Sequence, residues 1–263
     1  MKTKAYLENY YQSYDEQGRL LSKHGQVEYI TTMHYIEKYL RPGMRIMEIG
    51  AATGRYSHAL AQKGYAVDAV ELVEHNIEIF RENTLPQENI TIIQGNAMDL
   101  SAFADESYDL TLLLGPMYHL FTPEDQLCAL SEAVRVTKIG GVVFAAYCMS
   151  DASILTYGFL KNNIQDLLSK KMVDPNTFAA ISHPQDIFEL YRKEDIDALR
   201  EQLPVTQLHF VASDGYTLHR YEAVDNMQEE TYNLYLKYHL ATCERQDMVG
   251  LSHHTLDIFR KEG

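Results

Sequence analysis

Two acids and a run of small residues carry the first chemistry legible in this chain. Glu48 stands just before Gly50-Ala51-Ala52-Thr53-Gly54, and Glu71 closes a second apolar run about twenty residues on. Small residues let a backbone approach a ligand closely. An acid after the second strand of a nucleotide-binding sheet can take both hydroxyls of a ribose. The spacing therefore suits an adenosine-containing cofactor. A dinucleotide would ask for Gly-x-Gly-x-x-Gly, which seats a pyrophosphate at a helix N-terminus. Glu48 would repel a pyrophosphate and suits a positive group, a sulfonium or an ammonium. An NAD-dependent oxidoreductase is disfavoured on the same ground. Ala52 fits its place if its φ is negative and the ligand leaves room for one methyl group.

A second constellation follows the fourth apolar run, at Gly115-Pro116-Met117-Tyr118-His119. Gly-Pro makes a fixed exit from a strand. His119 is a candidate general base, because imidazole titrates near neutrality. Four tyrosines fall in the first fourteen residues, Tyr6, Tyr10, Tyr11 and Tyr14. They suit an arm over residues 1–24 that packs on the body, closes over a ligand, or does both. Asn96, after the third apolar run, is read as a ligand contact rather than a plain turn. His253 and His254 precede the last apolar run. Adjacent histidines bind one metal poorly, and no Cys or carboxylate at ligand spacing accompanies them, so no metal site is expected. A role for His254 in acceptor binding stays open.

The elements that must position these residues alternate. A helix spans Val27–Leu40 and stops at Arg41-Pro42-Gly43. Strands are expected at Arg45–Ile49, Tyr65–Val70, Ile90–Gln94, Tyr108–Leu114, Val142–Tyr147, Val205–Ala212 and Thr255–Phe259. Helices fill the gaps: Arg55–Lys63, one from Val73 to before Pro86, one opened by Thr122-Pro123-Glu124-Asp125, and Lys193–Leu203. Alternation of this kind gives an α/β sheet. Residues 148–192 and 213–250 read as insertions, with a helix over Ile154–Leu168 and another over 225–243. In the latter, Thr231, Leu234, Tyr235 and Tyr238 form the packed face, with Tyr232 and His239 wet.

The chain has 263 residues, of which 46% are hydrophobic and 23% charged, enough for one domain over 1–263 with a sizeable core. Its formal charge of −14 disfavours generic nucleic-acid binding. Cys128, Cys148 and Cys243 are widely spaced and read as reduced core thiols. No signal-peptide pattern or membrane-length apolar run is present, so a soluble, cytoplasmic protein is expected. Nothing points to a protein partner.

Glu48 to Gly54, Glu71 and Gly95-Asn96-Ala97 together resemble the motifs of the class I S-adenosylmethionine-dependent methyltransferases. The segment looks most like their small-molecule, ubiquinone/menaquinone-biosynthesis-like branch. The resemblance covers residues 27–147 by motif and 193–260 by topology. It implies a Rossmann-like three-layer sandwich around a seven-stranded, mostly parallel sheet ordered 3-2-1-4-5-7-6, with the last strand antiparallel. It implies S-adenosyl-L-methionine as cofactor and S-adenosyl-L-homocysteine as product. Glu48 would orient the amino end, Gly50, Ala52 and Gly54 would pass the methionine and ribose, and Glu71 would hold the ribose. Leu72, Asn96 and Ala97 would frame the adenine, and Leu114 would lie by the methionine. Tyr11, Tyr14, Tyr118, His119 and His254 would face a small-molecule acceptor. Gly115 stands where amino-group methyltransferases carry Asn or Asp, which argues against adenine or glutamine as acceptor. Two other functions are compatible with such a fold, an RNA or protein methyltransferase and a non-catalytic cofactor-fold binding protein.

Overall fold

The computed structural model describes residues 2–263. In chain order the elements are α1 (Lys2–Tyr11), α2 (Lys23–Tyr39), β1 (Arg45–Ile49), α3 (Arg55–Gln62), β2 (Ala66–Glu71), α4 (Glu74–Asn83), β3 (Ile90–Gln94) and β4 (Tyr108–Leu113). They continue with α5 (Pro123–Val136), β5 (Thr137–Cys148), α6 (Ser150–Ser153), α7 (Ile164–Ser169), α8 (Lys193–Arg200) and β6 (Val205–Ala212). The chain ends with α9 (Tyr221–Asp225), α10 (Glu229–Thr242), α11 (Gln246–Val249) and β7 (His254–Lys261).

The strands form one sheet in the order β3-β2-β1-β4-β5-β7-β6, as the sequence predicts. β3, β2, β1, β4 and β5 run parallel, and β7 lies antiparallel between β5 and β6. Ile46, Met47 and Ile49 are fully buried, as a central parallel strand covered on both faces requires. This order places the C-terminal ends of β1, β2 and β4 side by side, at the reversal where such sheets bind ligands. Among the described residues, no helix is long and apolar enough to cross a membrane.

Four expectations need correction. β5 begins at Thr137, not Val142, because Gly140 adopts φ +78° inside the strand and the ladder shifts register opposite Tyr108 and Leu110. A glycine pair that reads as a turn is here a bulge. The single helix over Ile154–Leu168 is broken. A wide π-turn over Ile154–Phe159 ends at Asn162, whose φ is +57°, and α7 then starts afresh. The helix expected over 225–243 is α10, and of its expected face only Tyr235 packs inward. Tyr232 and His239 are buried while Leu234 and Tyr238 are exposed, because Tyr232 joins Val27 and Val224 in a small apolar cluster. The Tyr232 hydroxyl also donates to the Lys23 carbonyl at 2.7 Å. Of the cysteines, Cys148 and Cys243 are buried thiols, but Cys128 lies on the exposed side of α5.

Candidate active site

The loop after β1 is fixed from both sides. Gly50 N–H donates to the Val70 carbonyl at 2.8 Å, and Ala52 N–H donates to Oε2 of Glu71 at 2.9 Å. The other carboxylate oxygen, Oε1, accepts Val73 N–H at 2.9 Å and the Asn76 amide at 3.4 Å. Glu71 thus ties the loop to β2 and α4 and keeps its spare lone pair on Oε2. Gly50 has φ +73° and no room for a side chain, since a Cβ would lie 2.5 Å from Pro116. Ala52 contradicts its expected backbone. Its φ is +48°, a left-handed conformation that an alanine adopts at some cost, held by the bond to Glu71.

Glu48 is buried beneath this loop, where the Ser57 hydroxyl donates to it. Burial pushes its pKa up to about 8, with Ser57 pulling the other way. Such a carboxyl asks for a cation. Arg55, at the start of α3, lines the same space, and its buried Nε has no partner. An acid and a guanidinium on one wall suit the ammonium and carboxylate of an amino-acid moiety.

A cavity of about 1210 Å³ runs from this loop to the arm and the insertions. Glu48, Gly50, Ala52, Glu71, Leu72, Asn96, Ala97 and Leu114 line one part, and Tyr11, Tyr14, Tyr118, His119 and His254 line the rest. Gly54 alone of the named residues is not on the wall. It caps α3 at φ +89°, and a Cβ there would meet Phe80 at 2.6 Å, so its smallness serves packing. Asn96 lines the cavity, but its Oδ1 also accepts Met98 N–H at 3.1 Å, so the local turn uses part of its capacity.

His119 has both nitrogens engaged. Nδ1 lies 2.8 Å from the Ile187 carbonyl, which can only accept, so Nδ1 carries the proton. Nε2 therefore accepts from the Tyr11 hydroxyl, 3.1 Å away. Burial holds its pKa down at about 4. As a base it is weak and its lone pair is occupied, so its geometry is that of a clasp for the arm. Burial raises the Tyr11 and Tyr118 hydroxyls well above the usual phenol range, so both stay neutral donors.

His254 sits in a charged cluster that sequence spacing could not reveal. Its Nδ1 lies 2.7 Å from Oδ2 of Asp214 and 3.5 Å from Oε2 of Glu28. Arg19 clamps Glu28 with two bonds, at 2.7 and 3.2 Å. Ligand-type atoms of Glu28, Asp214 and His254 come within 4.8 Å of one another. The Arg19 guanidinium already supplies the positive charge Glu28 needs, so the cluster balances without a metal ion. Arg19, Glu28, Asp214 and Arg55 carry no local motif; only the packing of distant segments brings them to the cavity.

The family described as Methyltransferase domain matches residues 47–145, which hold every residue of the cofactor half named above. A structure of S-adenosylmethionine-dependent methyltransferases from Methanosarcina mazei superposes with a TM-score of 0.58 and 17% identity, over 87% of this chain and 97% of the other. The chain has the class I S-adenosylmethionine-dependent methyltransferase fold. Two curated relatives are demethylmenaquinone methyltransferases. The one from Staphylococcus aureus (strain MRSA252) is 32% identical over 107 residues, 40% of this chain and 43% of that protein. The one from Clavibacter sepedonicus is 28% identical over 161 residues, 61% of each chain. The chain thus spans about half the length of these relatives. The matched segment holds most of β1, β2 to β4, α5 and most of β5. The arm, α2 and the insertions that wall the remaining cavity lie outside it.

Proposed function

We propose that this protein transfers a methyl group from S-adenosylmethionine to a small-molecule acceptor. The observation that carries the reading is the single cavity, which continues from the cofactor loop to a wall of tyrosines and histidines. Its volume of about 1210 Å³ exceeds the ~300–1,000 Å³ usual for one small ligand, as a site for a donor and an acceptor together requires.

When bound, the cofactor supplies a methyl group on a positive sulfonium that leaves as a neutral thioether, so no general acid is needed. The protein's part is to align the two ligands and to exclude water. Glu48 and Arg55 would hold the amino-acid end, Glu71 the ribose through Oε2, and Leu72, Asn96 and Ala97 the adenine. The arm over residues 1–24 and the insertions at 148–192 and 213–250 would enclose the acceptor. Tyr11, Tyr14, Tyr118 and His254 would face it, with His119 positioning Tyr11. The likeness of part of the chain to two demethylmenaquinone methyltransferases makes demethylmenaquinone one candidate acceptor.

Calorimetric titration with S-adenosylmethionine, S-adenosylhomocysteine and NAD tests this. Micromolar affinity for the first two and none for NAD is the expected result. Binding of NAD alone, or of none of the three, would overturn the proposal.

A further inference from the structure

We infer that His254 is the acceptor-recognising residue and that it grips an oxygen of the acceptor, carbonyl or anionic, through a single N–H at Nε2. The inference rests on the methyltransferase reading and deepens it.

Asp214 leaves His254 little choice of state. It is buried, and its Oδ1 accepts the Ser252 hydroxyl at 2.6 Å, His253 N–H at 3.0 Å and His254 N–H at 3.2 Å. That leaves Oδ2 for His254 Nδ1, at 2.7 Å. Burial opposes charge on Asp214, but the charge of His254, its bond and the Ser252 hydroxyl outweigh it and hold the pKa at about 2, so Asp214 and His254 stabilise each other's charge. A carboxylate can only accept, so Nδ1 carries a proton. Glu28 adds a second negative oxygen beside the same nitrogen. Near the ring too are Arg19 behind Glu28, Tyr14, Tyr118 with its ring centroid 5.9 Å away, Cys148 and His253. Burial opposes charge on His254, but Glu28, Cys148 and Asp214 outweigh it and hold its pKa well above the ordinary value.

The outer nitrogen is the free one. Among the described residues Nε2 of His254 has no hydrogen-bond partner, and the residue lines the cavity. An imidazolium fixed at Nδ1 offers one charged donor there and no acceptor. It selects a ligand atom with a lone pair and rejects an ammonium. The rings of Tyr10, Tyr11, Tyr14, Tyr118 and Phe188 line the same space, so the oxygen belongs to a flat, largely apolar molecule.

The test uses full-length protein labelled with 15N-histidine, with the His254 signals assigned by their loss in His254→Gln. Protonation of both ring nitrogens at pH 7.5 is expected; a neutral ring at that pH overturns the inference. Saturation-transfer spectra are then taken with benzoate, acetophenone and benzylammonium on protein loaded with S-adenosylhomocysteine. Benzoate and acetophenone should bind and benzylammonium should not. His254→Gln, which keeps a donor without the charge, should weaken benzoate at least threefold, and His254→Phe should abolish both. Binding of benzylammonium equal to benzoate, or unchanged benzoate binding in His254→Phe, overturns it. Calorimetry on the same samples separates the two levels. Lost S-adenosylhomocysteine binding in the unmutated protein sinks the methyltransferase reading. Retained cofactor binding with unselective probes sinks only this one.

Discussion

The Tyr11 hydroxyl meets Nε2 of His119 at 3.1 Å, across 108 residues of sequence. One hydrogen bond so joins the end of α1 to the turn after β4, and the Ile187 carbonyl on the other side of the ring fixes the tautomer that makes it possible. Tyr10 adds an edge-on contact with Phe188 at 5.8 Å. The arm is held besides by the buried Leu7 and Leu20 and by the Arg19–Glu28 pair.

Tyr11→Phe should free the arm without unfolding the body. A hydrogen bond of this kind is worth about 0.5–1.5 kcal/mol net, so the open population of the arm should rise roughly two- to tenfold. Hydrogen exchange over residues 4–20 should speed up accordingly, with the sheet unchanged. Equal loss of protection in β1 and β4 would make Tyr11 a core residue instead.

Acid should weaken the same contact. The His119 pKa of about 4 lies below that of the unfolded chain, so between pH 4 and about 6.5 the unfolded state binds more protons and stability rises with pH. His253, also held at about 4 by burial, acts in the same direction. His119→Gln should flatten this part of the stability profile measured by urea titration, by about 1–3 kcal/mol across the window.

Glu48 should make cofactor binding pH-linked with the opposite trend in stability. Its folded pKa of about 8 exceeds the unfolded value, so the native state binds more protons and Glu48 costs stability progressively as pH rises from 4.5 to 8. An ammonium beside it favours the carboxylate, so binding releases a proton and affinity falls by up to about tenfold per pH unit below 8. Glu48→Gln should raise the apo melting temperature at pH 8, weaken S-adenosylmethionine and abolish the proton release. Calorimetry in buffers of different ionisation enthalpy reads all of this.

Ala52→Gly should stabilise the cofactor loop. Left-handed alanine costs about 1–2 kcal/mol, and glycine's extra freedom in the unfolded chain returns about 0.4–1 kcal/mol of that. A net gain of about 0.5–1 kcal/mol in thermal or urea unfolding is expected. Destabilisation would mean that the Ala52 methyl packs where glycine leaves a void.

Glu71→Ala removes the loop's anchor to Ala52 and Val73 together with the ribose contact proposed for it. Cofactor affinity should fall at least tenfold, and stability by about 1–3 kcal/mol as the buried N–H groups lose their acceptor. Unchanged affinity by calorimetry would remove Glu71 from the cofactor site.

The sequence by itself determined the alternation of strands and helices, the small-residue loop after β1 and the acid at the end of β2, because these rest on local signals: short apolar runs, small residues at a turn, an acid at a strand end; the sheet order came only with the resemblance to the methyltransferases. It also marked Tyr11, His119 and His254 by type and placement. It did not reveal that Ala52 is left-handed, since one methyl group leaves that choice to the bond from Glu71. Nor could it show which face of α10 is buried, because both faces carry apolar residues and Val27, about two hundred residues away, decides. The roles of His119 and His254 depended most on tertiary structure. Two imidazoles with the same intrinsic basicity are pulled apart by their surroundings, one neutral between a carbonyl and a phenol, the other charged between two carboxylates brought in from α2 and the turn after β6.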